Sequence, residues 1–302
     1  MQKNRHVLLF FVDGLGLAPA GPDNPWGYLP TANLRSLLPG GLTVASAGLS
    51  TELATLSALD TTLGVPGLPQ SASGQTALLT GVNAPGLLGR HLSGYPDSSL
   101  VQLLAEHSLF RRLSEQGISA TFANAFYDDY WREFPSGPHS ATTEAVLTAG
   151  LPLRTQSDLR QGNAVYQDIT NLILQRRSLE LPLITPALAG ERLAHIVRQH
   201  HFTLFEFFQT DVAAHKGRRE LLEQHIQNID AMMGAVLANS NLHDLWVILA
   251  SDHGNSEDLS TSDHTLNQVP GLSVGANSAT ARAWRSIIDI AESIVGWLLT
   301  SD

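Results

Sequence analysis

The sequence predicts an α/β fold in which a mainly parallel, doubly wound sheet carries helices on both faces. Three apolar runs, at 7–12, 202–209 and 245–250, each lead into a turn that contains an aspartate, as strands buried on both faces do. Helical patterns separate these runs, and strands alternating with helices indicate crossover units. The chain has 302 residues, which is enough for one such domain with a modest insertion.

The elements follow in order along the chain. Of the three strands at these runs, the first is expected over 6–12, and a fourth strand is expected over 119–125. A short helix with Ser71 at its N-cap is expected over 71–81. A further strand is expected after the polar loop that contains His264. Longer helical patterns, the first of them ending at a C-cap glycine, cover 100–116, 187–199, 218–238 and 286–299.

The middle of the chain does not show this alternation of strands and helices. Between about 127 and 186 it contains an acidic and aromatic stretch at 128–131, a Pro/Gly/Ser patch at 135–140 and a short amphipathic segment near 168–174. We predict a discontinuous core formed by 1–126 and 187–302, with 127–186 as a small inserted cap. The alternative is an ordinary long excursion at the edge of the sheet.

Composition narrows the functional classes. The formal net charge is −10 and lysine occurs only at Lys3 and Lys216, so a nucleic-acid partner is not expected. The chain has no cysteine, which excludes a disulfide scaffold, a cysteine-ligated zinc site and a thiol nucleophile. No apolar segment reaches membrane-spanning length without charge or proline, so we expect a soluble, cytoplasmic protein with no membrane partner.

Several side chains that bind metals lie at the predicted strand ends. Asp13 follows the first strand, and Asp252-His253-Gly254 follows the strand at 245–250. Asp211 and His215 are four residues apart, so on a helical turn they face the same side and can share one ion. His264 lies in a polar loop. Taken singly, each has an ordinary alternative as a turn, a capping aspartate or a loop histidine.

Ser71 opens a stretch of small residues that leads into an apolar run and then Gly81, which is typical of a short helix. Capping alone would explain the serine. A hydroxyl at a helix N-terminus also lies in positive potential, which favours its alkoxide and a phosphate beside it. Carboxylate, imidazole and alkoxide ligands together suit two divalent ions of the zinc or manganese kind, and such a pair can clamp both oxygens of an in-line phosphoryl displacement.

These motifs, in this order, resemble the alkaline phosphatase superfamily, and most closely its branch of cofactor-independent phosphoglycerate mutase and phosphopentomutase. The resemblance rests on the Asp13-Gly14 opening with the later Thr31-Ala-Asn-Leu34, and on three C-terminal segments: Asp211-Val-Ala-Ala-His215-Lys-Gly217, Ser251-Asp-His-Gly-Asn255 and His264-Thr-Leu-Asn-Gln-Val-Pro270. The stretch from Ser71 to Thr80-Gly81 is more similar to the nucleophile helix of alkaline phosphatase itself.

The resemblance implies an alkaline-phosphatase-like fold and two metal sites. Asp211, His215 and His264 would hold one Mn²⁺ or Zn²⁺ ion. The other ion would bind the Ser71 hydroxyl together with Asp13, Asp252 and His253.

Some features depart from the family pattern. Gln70 stands where alkaline phosphatase has an acidic residue, so an additional magnesium site is not expected. The sequence after Ser71 lacks the Pro and Arg of a sulfatase motif, and the chain has no room for the large second domain of the mutase.

The favoured function is a phosphatase that acts on a small phosphorylated metabolite through Ser71 as nucleophile. Arg154 and Arg160 are candidate substrate contacts within the insertion. One alternative is a phosphomutase of the phosphoglycerate mutase or phosphopentomutase type, which must shield its phosphoenzyme while the substrate reorients. A second is a non-catalytic metal-binding scaffold, although such a protein would have no need of a serine ligand.

Overall fold

The fold is built on one mixed sheet. The computed structural model describes residues 4–135, 137–177, 179 and 181–300. Within them, the strands of the sheet lie in the spatial order β2-β6-β5-β1-β4-β3. Their bounds are β1 His6–Val12, β2 Ala54–Leu59, β3 Ala120–Phe122, β4 Phe202–Phe207, β5 Leu245–Ala250 and β6 Val269–Gly275.

Strand β1 lies at the centre and pairs in parallel with a neighbour on each side. Val7 is opposite Phe202 of β4 and also opposite Trp246 of β5. The residues after β1, β4 and β5 therefore emerge side by side at one edge of the sheet, where ligands of parallel sheets bind. This register brings the three predicted strand-end aspartate segments together.

The prediction of a mainly parallel α/β sheet is confirmed, with one strand running against the others. Strand β6 is antiparallel to both β5 and β2, so its N-terminal end lies at the same edge as the C-terminal ends of its neighbours. The polar loop with His264 leads directly into β6 and therefore reaches the same edge. Strand β2 was not predicted, because its Ala/Thr/Ser-rich sequence has neither a continuous apolar run nor clear alternation.

Helices cover both faces of the sheet. Short 3₁₀ turns lie at Val44–Ser46 and Ser278–Ala283. The α-helices are α1 Pro25–Tyr28, α2 Ala32–Leu37, α3 Ser71–Thr80, α4 Ala84–Leu88, α5 Ser98–His107, α6 Leu109–Glu115, α7 Tyr130–Glu133, α8 Ala141–Thr148, α9 Gln156–Gln161, α10 Leu172–Arg176, α11 Pro186–Val197, α12 Gln209–His215, α13 Arg219–Ala238 and α14 Ile288–Leu299. No helix in the described ranges combines the length and the apolar character that crossing a membrane requires.

The alternating side chains of β1 divide the apolar core into two layers. Leu8 and Phe10 lie in the layer that includes residues of α11 and α13. Val7 and Leu9 lie in the layer that includes residues of α3, α5, α6 and α14. Because both faces are buried, β1 carries apolar side chains at successive positions instead of alternating with polar ones.

Two helix boundaries differ from the prediction. The single helix expected over 100–116 is two helices, because Ser108 adopts an extended conformation and its hydroxyl accepts a hydrogen bond from the Arg111 amide. Ser71 is the first residue within α3, and Gln70 occupies the N-cap position with extended backbone. The Ser71 hydroxyl is consequently not used as a cap.

The segment 127–186 contains two kinds of packing. Ala141, Ala145 and Val146 of α8 join the core layer formed with α3 and α5. Tyr127, Leu159, Tyr166, Leu174 and Leu181 belong instead to a separate small apolar cluster. The boundaries of a cap stay a prediction.

Two glycines give a matched test of how tightly α3 packs on the sheet. A Cβ at Gly74 would lie 2.9 Å from the Asp252 backbone oxygen, whereas one at Gly296 of α14 would meet nothing within 4 Å. We expect Gly74→Ala to destabilise the protein by about 1–3 kcal/mol through overpacking. Gly296→Ala should stabilise it by about 0.5–1 kcal/mol through helix propensity. Chemical denaturation of both variants measures these changes, and equal effects at the two positions would contradict the close packing of α3.

Candidate metal centre

The predicted ligands converge at the edge of the sheet where β1, β4 and β5 end. Asp13 follows β1, Asp252 and His253 follow β5, and Asp211 lies in the first turn of α12, directly after β4. Gly14 adopts a positive φ of 70°, and a Cβ there would lie 2.7 Å from Asp211 Oδ1. The turn after β1 therefore requires glycine to let the carboxylates approach each other.

A first cluster consists of Asp13, Asp252 and His253, whose ligand atoms all lie within 4.8 Å of one another. His253 Nε2 is 3.2 Å from Asp13 Oδ1 and 3.6 Å from Asp252 Oδ2. Ser71 Oγ lies 2.9 Å from the same His253 nitrogen. The structure thus brings together the four side chains that the resemblance assigns to one ion.

A second cluster contains Asp211, His264 and again His253. His264 Nε2 is 3.7 Å from Asp211 Oδ1, and His215 Nε2 is 3.4 Å from Asp211 Oδ2. The His253 and His264 rings stack with centroids 3.7 Å apart. His253 therefore lies between the two groups, and the seven predicted ligands form one continuous set.

The orientation of two imidazoles favours cation binding. His215 Nδ1 lies 2.6 Å from the Ser262 carbonyl oxygen, and His264 Nδ1 lies 2.7 Å from that of Pro69. If each Nδ1 donates its proton to that carbonyl, each Nε2 presents a lone pair. The two Nε2 atoms are 3.0 Å apart, a separation that a shared cation or proton stabilises.

Several carboxylate oxygens of the cluster lack hydrogen-bond donors from the protein. Asp252 is fully buried, and neither of its carboxylate oxygens nor Asp13 Oδ1 has a hydrogen-bond partner. Burial and the nearby Asp13 raise the pKa values of both Asp252 and Asp211. Burial would lower the pKa of His253, but the Asp252 and Asp13 carboxylates raise it to about 10. Buried carboxylates without donors, beside imidazoles, form a donor set that fits divalent cations.

Two amide side chains in the site were not predicted as site residues. Gln75 Nε2 donates to Asp13 Oδ2 over 3.2 Å, and Asn255 Nδ2 donates to Asp211 Oδ1 over 2.7 Å. Gln75 lies one helical turn after Ser71, and Asn255 follows the Asp252-His253-Gly254 motif. Their proximity to predicted ligands was the available signal. Both fix a carboxylate that would otherwise rotate freely.

Glu257 is a further residue that the sequence analysis missed. Its Oε2 accepts hydrogen bonds of 2.8 Å from the backbone amides of Gly16 and Asn255. Its Oε1 accepts from the Thr265 hydroxyl and the Asn267 amide group. This buried carboxylate joins the loops that follow β1 and β5 to the loop that precedes β6.

The two predicted substrate arginines lie apart from this cluster. The Arg154 guanidinium donates to the backbone oxygens of Phe122 and Asn163 and to the Thr121 hydroxyl. Arg160 is exposed on α9. Neither lines the cavity beside the ligand set. The structure does not bring them to the ligands, and their contact with substrate stays a prediction.

Comparisons with known proteins agree with this geometry. Residues 187–301, which contain five of the seven predicted ligands, match the model of the metalloenzyme superfamily. This C-terminal part of the chain therefore resembles the metalloenzyme superfamily. The relatives of the chain include 2,3-bisphosphoglycerate-independent phosphoglycerate mutases. That of Mycoplasmoides gallisepticum is 23% identical over 123 residues, covering 39% of this chain and 24% of the relative. That of Legionella pneumophila is 28% identical over 128 residues, covering 40% of this chain and 25% of the relative.

The matched segments thus span about a quarter of these curated relatives. Solved structures extend the likeness in fold to the whole chain. The PH0037 protein of Pyrococcus horikoshii has a TM-score of 0.62 at 14% identity, covering 100% of this chain and 99% of that one. Alkaline phosphatase from the Antarctic bacterium TAB5 has a TM-score of 0.57 at 13% identity, covering 99% of this chain and 100% of that one. The predicted alkaline-phosphatase-like fold is confirmed.

Replacing Asp252 tests the metal fit through stability. Asp252→Asn removes one buried charge from a crowded carboxylate cluster, so we expect the metal-free variant to have a higher Tm than the metal-free wild type. Added Mn²⁺ or Zn²⁺ should raise the Tm of the wild type, by several degrees if the added metal is well above Kd, and raise that of the variant much less. Thermal unfolding with and without metal measures both effects. An equal rise in the two proteins would contradict a role for Asp252 as a ligand.

Glu206 gives the metal-free protein a distinctive pH dependence. Its carboxyl is buried in β4, where burial and the nearby Asp13 raise its pKa to about 8 from an ordinary value of 4.5. Between these values the native state retains a proton that the unfolded chain has lost, so the free energy of unfolding falls by about 1.4 kcal/mol for each unit that the pH rises. The contribution is fully lost above the native pKa.

Glu206→Gln removes this titration. The variant should therefore gain Tm over the wild type at pH 8.5, with little difference near pH 5. Thermal unfolding of both proteins in chelator at the two pH values is the measurement. A difference that does not change with pH would show that Glu206 does not carry the effect.

Proposed function

We propose that this chain is a metal-dependent phosphatase that transfers the phosphoryl group of a small phosphate ester to water through Ser71. The observation that carries the proposal is the position of the Ser71 hydroxyl. It lies at the N-terminus of α3, is 2.9 Å from His253 Nε2 within the ligand set, and lines a cavity. A nucleophile needs this combination of access, nearby positive potential and ligands.

In this proposal, Asp211, His215 and His264 hold one divalent ion, and Asp13, Asp252, His253 and Ser71 hold the other, each Mn²⁺ or Zn²⁺. Two bound ions would supply Lewis-acid stabilisation of charge on the phosphoryl and leaving oxygens. Ser71 Oγ attacks phosphorus as the ester P–O bond breaks, and the alcohol leaves with a proton. Water then attacks the phosphoserine and regenerates the hydroxyl. The N-terminus of α3 stabilises the phosphoryl oxygens throughout.

The neighbouring serine provides a matched control. Ser73 is fully buried, and its hydroxyl lies 3.3 Å from the Gln70 carbonyl while accepting from the Leu92 amide. These contacts commit Ser73 to the backbone, whereas Ser71 faces the cavity. The contrast supports the choice of Ser71.

Ser71→Ala should lower kcat by several orders of magnitude, because it removes a covalent step. Ser73→Ala should keep kcat within a few-fold of the wild type. Steady-state kinetics on an active ester, with metal content measured on both variants, separates loss of chemistry from loss of metal. A large loss in Ser73→Ala with full activity in Ser71→Ala would overturn the assignment.

A phosphomutase is the second candidate, and the sequence match to phosphoglycerate mutases favours it. Its distinguishing outcome is an isomeric phosphate ester as product, with little release of inorganic phosphate. A product assay by phosphorus NMR decides between the two reactions. Metal content with no turnover on any ester would instead support a binding scaffold.

A further inference from the structure

A cavity of about 480 Å³ opens beside Ser71, Asp13 and Asp211. Its volume is in the range of small-molecule sites. Its lining contains an aromatic wall, which includes Phe122, Phe126, Tyr127, Tyr130, Tyr166 and Phe208.

Tyr130 is the centre of this aromatic wall. Its ring lies 4.8 Å from that of Phe126 and 5.8 Å from that of Tyr127, in tilted and edge-to-face arrangements. Tyr127 and Tyr166 are buried, while Tyr130 is partly accessible. Such rings present a firm apolar surface with defined faces and edges, onto which another planar ring packs well.

The charges of the cavity argue against a second anionic group on the substrate. Among the described residues that line it, Arg177 is the one Lys or Arg, and the acidic lining residues include Asp13, Glu206 and Asp211. The Arg177 guanidinium lies 4.4 Å from the Tyr127 ring centroid and pairs with Glu133 at 3.3 Å. A carboxylate or second phosphate would meet a single cation that already has partners.

Two of the polar side chains that line the cavity, Asn124 and Ser140, already have partners within the protein. Both polar ends of the Asn124 amide group bond to the Glu206 backbone, over 2.7 and 2.9 Å. Ser140 Oγ accepts from the Thr143 amide and caps α8. A sugar or glycerol chain would therefore bury hydroxyls against few free groups, at a cost that a ring does not have.

Resting on the function proposed above, we propose that the substrate is a monophosphate whose alcohol carries a planar aromatic group. The ester phosphate lies at Ser71 and the ligand set, and the ring packs on the wall around Tyr130. The segment 127–186, which supplies Tyr127, Tyr130, Tyr166 and Arg177, then determines specificity without supplying a metal ligand.

Substrates with matched leaving groups test this inference. Benzyl phosphate, ethyl phosphate and glycerol 3-phosphate all release primary alcohols, so differences in kcat/KM report contacts with the rest of the molecule. We expect kcat/KM for benzyl phosphate to exceed the others about tenfold or more. Adenosine 5′-phosphate tells a nucleobase from a simple aryl group, and a high rate on either supports the aromatic class. Ethyl or glycerol phosphate turned over as well as both aromatic esters would overturn it.

Binding measurements test the aromatic site independently of the proposed reaction. Calorimetry on metal-loaded Ser71→Ala protein compares benzylphosphonate with ethylphosphonate, which differ only in the ring. Tighter binding of benzylphosphonate without turnover of any ester by the wild type would retain the aromatic site and reject the phosphatase. Turnover of an ester by the wild type, with equal binding of the two phosphonates, would retain the phosphatase and reject the aromatic site.

Variants at Tyr130 test whether the aromatic ring of the substrate packs on the wall around this residue. Tyr130→Ala should reduce the benzyl-to-ethyl ratio of kcat/KM about tenfold, and Tyr130→Phe, which keeps the ring, should preserve it. Tyr28→Ala is the matched control, because Tyr28 is exposed and lies outside the cavity lining. Circular dichroism and metal content confirm that each variant is folded and loaded. An unchanged ratio in Tyr130→Ala would remove the wall around Tyr130 from the substrate site.

Discussion

The hydrogen bonds of the buried Glu257 carboxylate hold together the edge of the sheet that carries the predicted ligands. The three loops that they join come from opposite ends of the sequence, and each lies next to a predicted ligand: Asp13, His253 or His264. A carboxylate that accepts bonds from several donors is well stabilised even without solvent. Because Glu257 is satisfied in this way, it can position the ligand loops while the carboxylates of Asp13 and Asp252 remain free to bind cations.

The parallel strands place the predicted acidic ligands at an edge of the sheet where they are poorly solvated. Parallel strands buried on both faces provide a rigid platform, but they deliver three acidic side chains to one poorly solvated edge. Without cations, burial and the nearby Asp13 raise the pKa values of Asp252 and Asp211, so ionising these carboxylates at this edge is unfavourable. The match of residues 187–301 to the metalloenzyme superfamily and the alkaline-phosphatase-like fold agree with a site that binds metal. The stability of the protein and its proposed chemistry therefore depend on the same ligands.

Local sequence signals predicted the central strands and the positions of several metal-binding side chains at their ends, because each depends on a short continuous segment. Asp13 and Asp252 each follow an apolar run, and helical spacing pairs Asp211 with His215. Features made by distant segments could not be predicted this way. Glu257 has no distinctive sequence context, and the aromatic wall combines residues before, within and after 127–186. The weak β2 sequence becomes a strand only because β6 pairs with it.

The contact between His264 Nδ1 and the Pro69 carbonyl has a consequence for how the site responds to its metals. Pro69 precedes the N-cap of α3 and lies two residues before Ser71, so a predicted ligand contacts the segment that leads into the proposed nucleophile. Cation binding at His264 would restrain that imidazole and, through the 2.7 Å contact, the entry into α3. Occupancy of the centre would thus be transmitted as local rigidity to the serine. The ions that assist the proposed nucleophile would in this way also restrain its hydroxyl.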